Sequence, residues 1–104
     1  MAYDPLAALA FIDPSMVKHL REQNEFVYAD GALPRKIKLL IALAFDAAHG
    51  AVRGVRSLAA QARKAGATDQ EIGETLRVAF QLTGVGCLYT ASDALADPEM
   101  REIE

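Results

Sequence analysis

The sequence predicts an all-α fold, a small multihelical bundle of about five to six helices. Alanine, the strongest helix former, accounts for 20 of the 104 residues. Alternating runs of Val, Ile, Thr or aromatic residues, which are typical of strands, are almost absent, and the chain has no Asn-Gly hairpin. We therefore expect a fold built from helix packing alone.

Two Asp-Pro pairs near the start of the chain predict the first two helices. Asp4 and Asp13 are each followed by proline. Aspartate is a favoured N-cap residue, and proline suits the first turn of a helix. We expect a short helix over residues 5–11 and a longer one over residues 14–29. The charged side chains of the second helix, with His19 among them, should form its solvated face.

The next helix is the one around which the rest of the chain should be organised. Pro34 suits its first position, and no Gly or Pro follows before Gly50. Apolar residues lie on both sides of this helix, so we expect it to be buried nearly all round. These residues are Ile37, Leu39, Leu40, Ile41, Leu43, Ala44, Phe45 and Ala48.

The C-terminal half has clear helix boundaries. Gly66 suits the left-handed residue after a helix end, and Thr68 with Glu71 three residues later predicts a capping box for the following helix. That helix should end near Gly84. A Gly-Val-Gly break leads to a last helix over residues 87–96, which an Asp-Pro pair terminates, and an acidic tail follows that should fray.

Two segments carry a family resemblance when they occur together. They are LPRKIKLLIALA and, after a small-residue turn at Gly50, AQARKAGATDQEIGETL, with a GVG break before the last helix. In this order they resemble the carboxymuconolactone decarboxylase and alkylhydroperoxidase D family of small all-helical oligomers, over residues 26–95. The resemblance implies one helical domain over residues 1–104 that is intertwined in a homo-oligomer, either a trimer or a hexamer.

The family's catalytic positions hold other residues in this sequence. Peroxidase members carry Cys-x-x-Cys-x-x-x-His after the glycine, and those three places are Ala51, Gly54 and Leu58 here. Their glutamate, one residue after the lysine of the first segment, corresponds to Leu39. Decarboxylase members resemble the peroxidases in having this histidine, and Leu58 occupies its place here. Thiol peroxidase chemistry needs a low-pKa thiolate and a resolving partner, so the resemblance does not carry that activity to these positions.

Composition limits the classes of function. A chain of 104 residues with 52% hydrophobic residues is short for two domains and apolar for a monomer, so we expect a single domain in a homo-oligomer. The net charge of −3 argues against a nucleic-acid partner, and the longest apolar run, residues 39–45, is too short for a membrane span. The first residues lack a targeting pattern and the chain has one cysteine, which together predict a cytoplasmic protein.

Asp46, His49 and Arg53 form an ionisable cluster beside the family site. In one interpretation His49 is a general acid or base, Asp46 orients it, and Arg53 holds an anionic substrate. In the other, His49 caps the last carbonyl groups of its helix. The sequence leaves both interpretations open.

Cys87 and Tyr89 follow the GVG break and are the remaining candidates. Cys87 is a possible redox residue, although a lone cysteine among apolar neighbours is more often a small buried hydrophobe. Tyr89 is a possible substrate contact, although its ring is more often buried with the hydroxyl bonded to backbone. The sequence shows no metal-ligand spacing and no phosphate-binding loop, so we expect neither a metal nor a cofactor.

Two classes of function remain open. The first is an oligomer that binds a small molecule or simply assembles, without thiol redox chemistry. The second is an enzyme of the lyase or decarboxylase type that transfers protons through His49. Alkylhydroperoxidase activity, as in the redox-active members of the family, is the least favoured.

Overall fold

The computed structural model describes residues 4–96, and six α-helices form the regular structure of that part of the chain. The all-α prediction is confirmed. No helix within residues 4–96 is long and apolar enough to cross a bilayer. The helices are α1 (Ala7–Ile12), α2 (Pro14–Tyr28), α3 (Arg35–Ala48), α4 (Val52–Lys64), α5 (Asp69–Thr83) and α6 (Gly86–Leu95).

Local capping chemistry places the first helices close to their predicted bounds. The Asp13 carboxylate accepts the Met16 backbone N–H at 3.0 Å, so α2 begins at Pro14 as predicted. Helix α1 begins two residues later than predicted, at Ala7. The reason is that the Asp4 carboxylate accepts the Leu6 backbone N–H at 2.9 Å in a turn that precedes the helix.

The core lies between α3, α4, α5 and α6, and α3 contacts the other three. Small side chains on α4 and α6 allow this close approach, since most of the buried residues of those two helices are alanines. The core residues are Leu39, Leu40, Leu43, Ala47, Val55, Ala59, Ala62, Ala67, Ile72, Ala79, Cys87, Ala91 and Ala94.

The prediction that α3 is buried nearly all round is wrong for the single chain. Leu39 and Leu43 face the core, but Ile41 is exposed and Phe45 has 62% of its surface accessible. Pro34 also differs from the prediction, because it precedes the helix in extended backbone rather than taking its first position. An apolar pattern identifies the faces of a helix that avoid water, but it does not show which chain covers them.

The N-terminal helices form an arm that is only lightly attached to the core. α1 packs on α2 and has no buried residue, and α2 buries Val17 alone. His19 is exposed, as predicted. The last helix ends at Leu95, one residue before its predicted end, and the Asp-Pro pair and the acidic tail lie outside the described residues.

The turn into α5 combines a left-handed glycine with a capping box. Gly66 has a φ of +100°, the left-handed conformation that favours glycine. The Thr68 hydroxyl accepts the Glu71 backbone N–H at 3.1 Å, and the Glu71 carboxylate accepts the Thr68 N–H at 2.9 Å. Lys36 of α3 adds an ion pair to Glu71 at 3.0 Å, so the capping box also joins two helices. The predicted capping box is confirmed.

Removing the cap should destabilise the chain. Thr68→Ala loses the hydroxyl that accepts the Glu71 N–H, and we expect a loss of about 1 kcal/mol in the free energy of unfolding. Thr68→Ser is the matched control, because serine keeps the acceptor. Denaturant unfolding of both variants measures the difference, and equal losses for serine and alanine would contradict the capping role.

The same box predicts a dependence of stability on pH. The Thr68 backbone N–H, followed by Lys36, lowers the pKa of Glu71 below its ordinary value of 4.5. A carboxyl group with a depressed folded-state pKa stabilises the fold above its unfolded pKa, and this contribution is lost as the pH falls through the folded value. The stability of wild type should therefore decline below about pH 4.5 more than that of Glu71→Gln, which keeps a capping side chain without the titration.

Candidate functional site

The positions that the family resemblance points to lie where α3 meets the start of α4. Leu39 of α3 is fully buried at 0% exposure, and Leu58 of α4 packs against the same hydrophobic core. Ala51 is the N-cap of α4, and Gly54 lies in its first turn. No thiol, imidazole or carboxylate is supplied by these four residues. Leu39 and Leu58 therefore place hydrocarbon side chains at the positions where peroxidase members have the glutamate and the histidine.

One carboxylate does lie against this region, and it comes from Asp46. Gly50, with a φ of +75°, turns the chain so that the end of α3 meets the first turn of α4. A Cβ atom at position 54 would lie 2.8 Å from the Asp46 Cγ, so the carboxyl group fills the space above Gly54. Ala51 offers no capping side chain and the first turn of α4 has no acidic residue. The Asp46 charge therefore complements the positive end of the α4 dipole.

His49 ends α3 and bonds back to its own helix. Its Nδ1 lies 2.7 Å from the Phe45 carbonyl oxygen, and a carbonyl group can only accept, so Nδ1 carries the proton. None of the ion pairs found within residues 4–96 joins His49 to Asp46. This geometry supports the interpretation of His49 as a helix cap. Its use as a general acid or base stays a prediction.

Arg53 lines a cleft that His49 does not reach. A cleft of about 390 Å³ is lined, among the described residues, by Pro5, Arg53, Arg56 and Ser57. The Arg56 Nε donates to the Ala94 carbonyl oxygen at 3.1 Å, which ties α4 to α6. Neither Asp46 nor His49 lines this cleft, so the three candidates do not converge on one cavity. The sequence analysis missed Arg56 and Ser57, although their spacing of three and four residues from Arg53 indicates a shared helix face.

Cys87 and Tyr89 lie on different faces of α6. Cys87 is 3% exposed and belongs to the core, as expected for a small buried hydrophobe. Tyr89 is 73% exposed, so the expectation of a buried ring is wrong. Two residues apart on a helix, their side chains point about 200° apart around the axis, and they do not form a joint site.

An apolar concave surface lies between α3 and α5. We call it the α3/α5 groove; it has a volume of about 420 Å³. Its lining residues carry no charge, and they are Ile37, Leu40, Ile41, Ala44, Phe45, Ala48, Thr75, Val78, Ala79, Leu82 and Thr83. A second cleft of about 340 Å³, lined by residues of α2 and α3, shares Ile41 and Phe45 with it. The sequence analysis had placed the α3 part of this surface in the core.

The all-α bundle is consistent with one protein class, although the residues at its α3–α4 junction differ from those of the redox-active members. A model of the carboxymuconolactone decarboxylase family matches residues 14–97, and the chain belongs to this family. No curated protein and no solved structure gives a significant match. Within residues 4–96, no three His, Cys, Asp or Glu side chains are grouped so that they could hold a metal ion.

Proposed function

We propose that this chain is an oligomeric member of its family that binds a small molecule or serves in assembly, without thiol redox activity. The observation that carries the proposal is the set of residues at the four catalytic positions, Leu39, Ala51, Gly54 and Leu58. Peroxide reduction by a dithiol requires an accessible thiolate and a second thiol. The chain has one cysteine, and Cys87 is buried in the core.

The distribution of apolar surface supports the assembly part of the proposal. The accessible surface is 7696 Å², whereas a folded monomer of 11.2 kDa exposes about 5,700 Å². The radius of gyration is 14.9 Å, compared with about 13 Å for a compact domain of this length. The arm of α1 and α2 exposes Phe11, Ile12 and Phe26. A homo-oligomer, expected to be a trimer or hexamer, would cover this surface and place the chain among intertwined assemblies.

The lyase alternative has less support. It requires Asp46 to orient His49 and Arg53 to hold a substrate beside it. Asp46 instead lies over the first turn of α4, and Arg53 lines a cleft that excludes His49. We also propose that the protein is cytoplasmic and binds neither nucleic acid nor a membrane. The support for this part of the proposal is the net charge and the hydropathy of the sequence.

Hydroperoxide turnover tests the proposal. Wild type and Cys87→Ala are each supplied with an organic hydroperoxide and a dithiol reductant, before and after treatment with an alkylating reagent. We expect no turnover above the reagent background in either protein. Turnover that alkylation abolishes, and that Cys87→Ala lacks, would contradict the proposal. Decarboxylation of carboxymuconolactone that is lost in His49→Ala would favour the lyase alternative instead.

A further inference from the structure

We infer that the cleft beside the first turns of α4, here called the α4 cleft, binds the phosphoryl group of a small phosphate monoester. The inference rests on the small-molecule part of the proposed function and names the class of ligand. Within residues 4–96 this cleft of about 390 Å³ is lined by Pro5, Arg53, Arg56 and Ser57. Its volume is in the range of small-molecule sites, and no carboxylate from that part of the chain lines it.

The three polar residues of the α4 cleft belong to one face of one helix. Arg56 and Ser57 follow Arg53 by three and four residues, a spacing that places Cβ atoms about 5–6 Å apart. Side chains as long as arginine can therefore meet around a single group. Arg56 is two residues from both Gly54 and Leu58, so it points about 200° away from those two positions. The α4 cleft is thus separate from the place where the redox-active members carry their second cysteine and their histidine.

Arg56 is held by the fold and keeps donors for a ligand. Its Nε donates to the Ala94 carbonyl oxygen of α6 at 3.1 Å. A guanidinium group has five N–H donors, so this bond leaves the donors of both terminal nitrogens for other acceptors. Because the bond to α6 already orders the side chain, a ligand would meet less of that entropic cost.

The donor set suits a phosphoryl group better than a carboxylate. One guanidinium can bind both oxygens of a carboxylate in a bidentate manner. The α4 cleft has two guanidinium groups, and the Ser57 hydroxyl accepts from the Gln61 side chain at 3.1 Å while retaining its own proton to donate. A phosphate monoester offers three terminal oxygens and a charge of about −1.5 to −2 at pH 7, which two arginines balance.

The remaining wall of the α4 cleft is apolar and suits the carbon body of an ester. Pro5 supplies this wall. Asp4 precedes it, but the Asp4 carboxylate accepts the Leu6 N–H at 2.9 Å and pairs with Arg21 at 3.3 Å, so its charge is partly balanced by other groups. An organic phosphate can therefore direct its anionic end to the arginines and its apolar end to the proline.

Calorimetric titration of the full-length protein with phenyl phosphate tests the inference. We expect saturable binding, and we expect phenylacetate, which carries a carboxylate instead, to bind about tenfold more weakly or less. Arg53→Gln and Arg56→Gln should each weaken the binding of phenyl phosphate about tenfold, because each removes charged hydrogen-bond donors. Arg77→Gln is the matched control, since it removes the same charge from an exposed position of α5 outside the cleft, and its affinity should stay within about twofold of wild type.

Ser57→Ala protects the test against a folding defect at Arg56, because it leaves both arginines and the bond to Ala94 in place. It should weaken the binding of phenyl phosphate about threefold to tenfold through the lost donor. Circular dichroism checks that every variant is helical.

The outcomes separate this inference from the proposed function. Absence of binding, or binding that Arg53→Gln, Arg56→Gln and Ser57→Ala leave unchanged, would overturn the inference. So would equal affinity for phenylacetate, or for inorganic phosphate, which lacks the carbon body. Each of these results leaves an assembling chain without thiol redox activity standing. Hydroperoxide turnover through Cys87 would instead overturn the proposed function without altering the titration.

Discussion

Leu39→Glu is expected to destabilise the chain by about 3–5 kcal/mol, even though glutamate is the residue that the family resemblance places at this position. Leu39 is completely buried among hydrocarbon side chains, so an ionised carboxylate there would lose its hydration without gaining a partner. Since small domains have a total stability of about 5–15 kcal/mol, much of the chain should be unfolded at moderate denaturant concentration. Urea unfolding at neutral pH measures the loss.

Two further variants show whether the loss comes from the charge. Leu39→Met keeps the volume and should cost less than about 1.5 kcal/mol. Leu39→Glu combined with Leu58→His returns both relay side chains of the peroxidase members, and a partial recovery relative to Leu39→Glu is expected if the two positions adjoin. A Leu39→Glu variant as stable as wild type would contradict the placement of Leu39 in the core.

Gly54→Ala is expected to have opposite effects on stability depending on the residue at position 46. With Asp46 present, the new Cβ would overlap the carboxyl group, and we expect a net loss because overpacking costs about 1–3 kcal/mol. In an Asp46→Ala background the same substitution should stabilise α4 by up to about 1 kcal/mol, because alanine is the better helix former.

The four proteins of this double-mutant cycle provide the control. Unfolding of wild type, each single variant and the double variant gives a coupling energy between positions 46 and 54, which we expect to exceed about 1 kcal/mol. Asp46→Ala alone should cost about 0.3–1 kcal/mol through the lost interaction with the α4 dipole. A coupling energy near zero would show that the Asp46 side chain does not occupy the space above Gly54.

The sequence was sufficient for features that depend on neighbouring residues. The Asp13 cap, the Thr68–Glu71 box and the left-handed Gly66 each depend on chemistry within three or four residues, and all three were predicted correctly. The ion pair of Lys36 with Glu71 was not predicted, because it joins residues 35 positions apart.

Burial was harder to predict than helix position. The apolar residues of α3 were identified, but Ile41 and Phe45 are exposed in the single chain although they line clefts beside other helices. The sequence correctly marked these positions as hydrophobic. Local sequence does not specify which element of the structure covers them. Tyr89 was misjudged for a similar reason, since its exposure depends on where α6 docks.

The candidate site illustrates the same limit. Asp46, His49 and Arg53 are close in sequence, but Arg53 lies beyond the turn at Gly50, and the side chains of Asp46 and His49 have different neighbours. Asp46 lies over α4, the His49 ring bonds back to α3, and Arg53 faces the cleft beside Arg56. Helical spacing relates residues within one helix, and it does not extend across a left-handed turn.

The solution mass of the wild-type chain tests the proposed assembly most directly, because apolar side chains are exposed both on the arm of α1 and α2 and along the α3/α5 groove. Light scattering at micromolar concentration should give a mass several times 11.2 kDa that persists on dilution. A stable mass of 11.2 kDa across the same range would contradict the claim, since the apolar faces would then be exposed to water in the functional molecule.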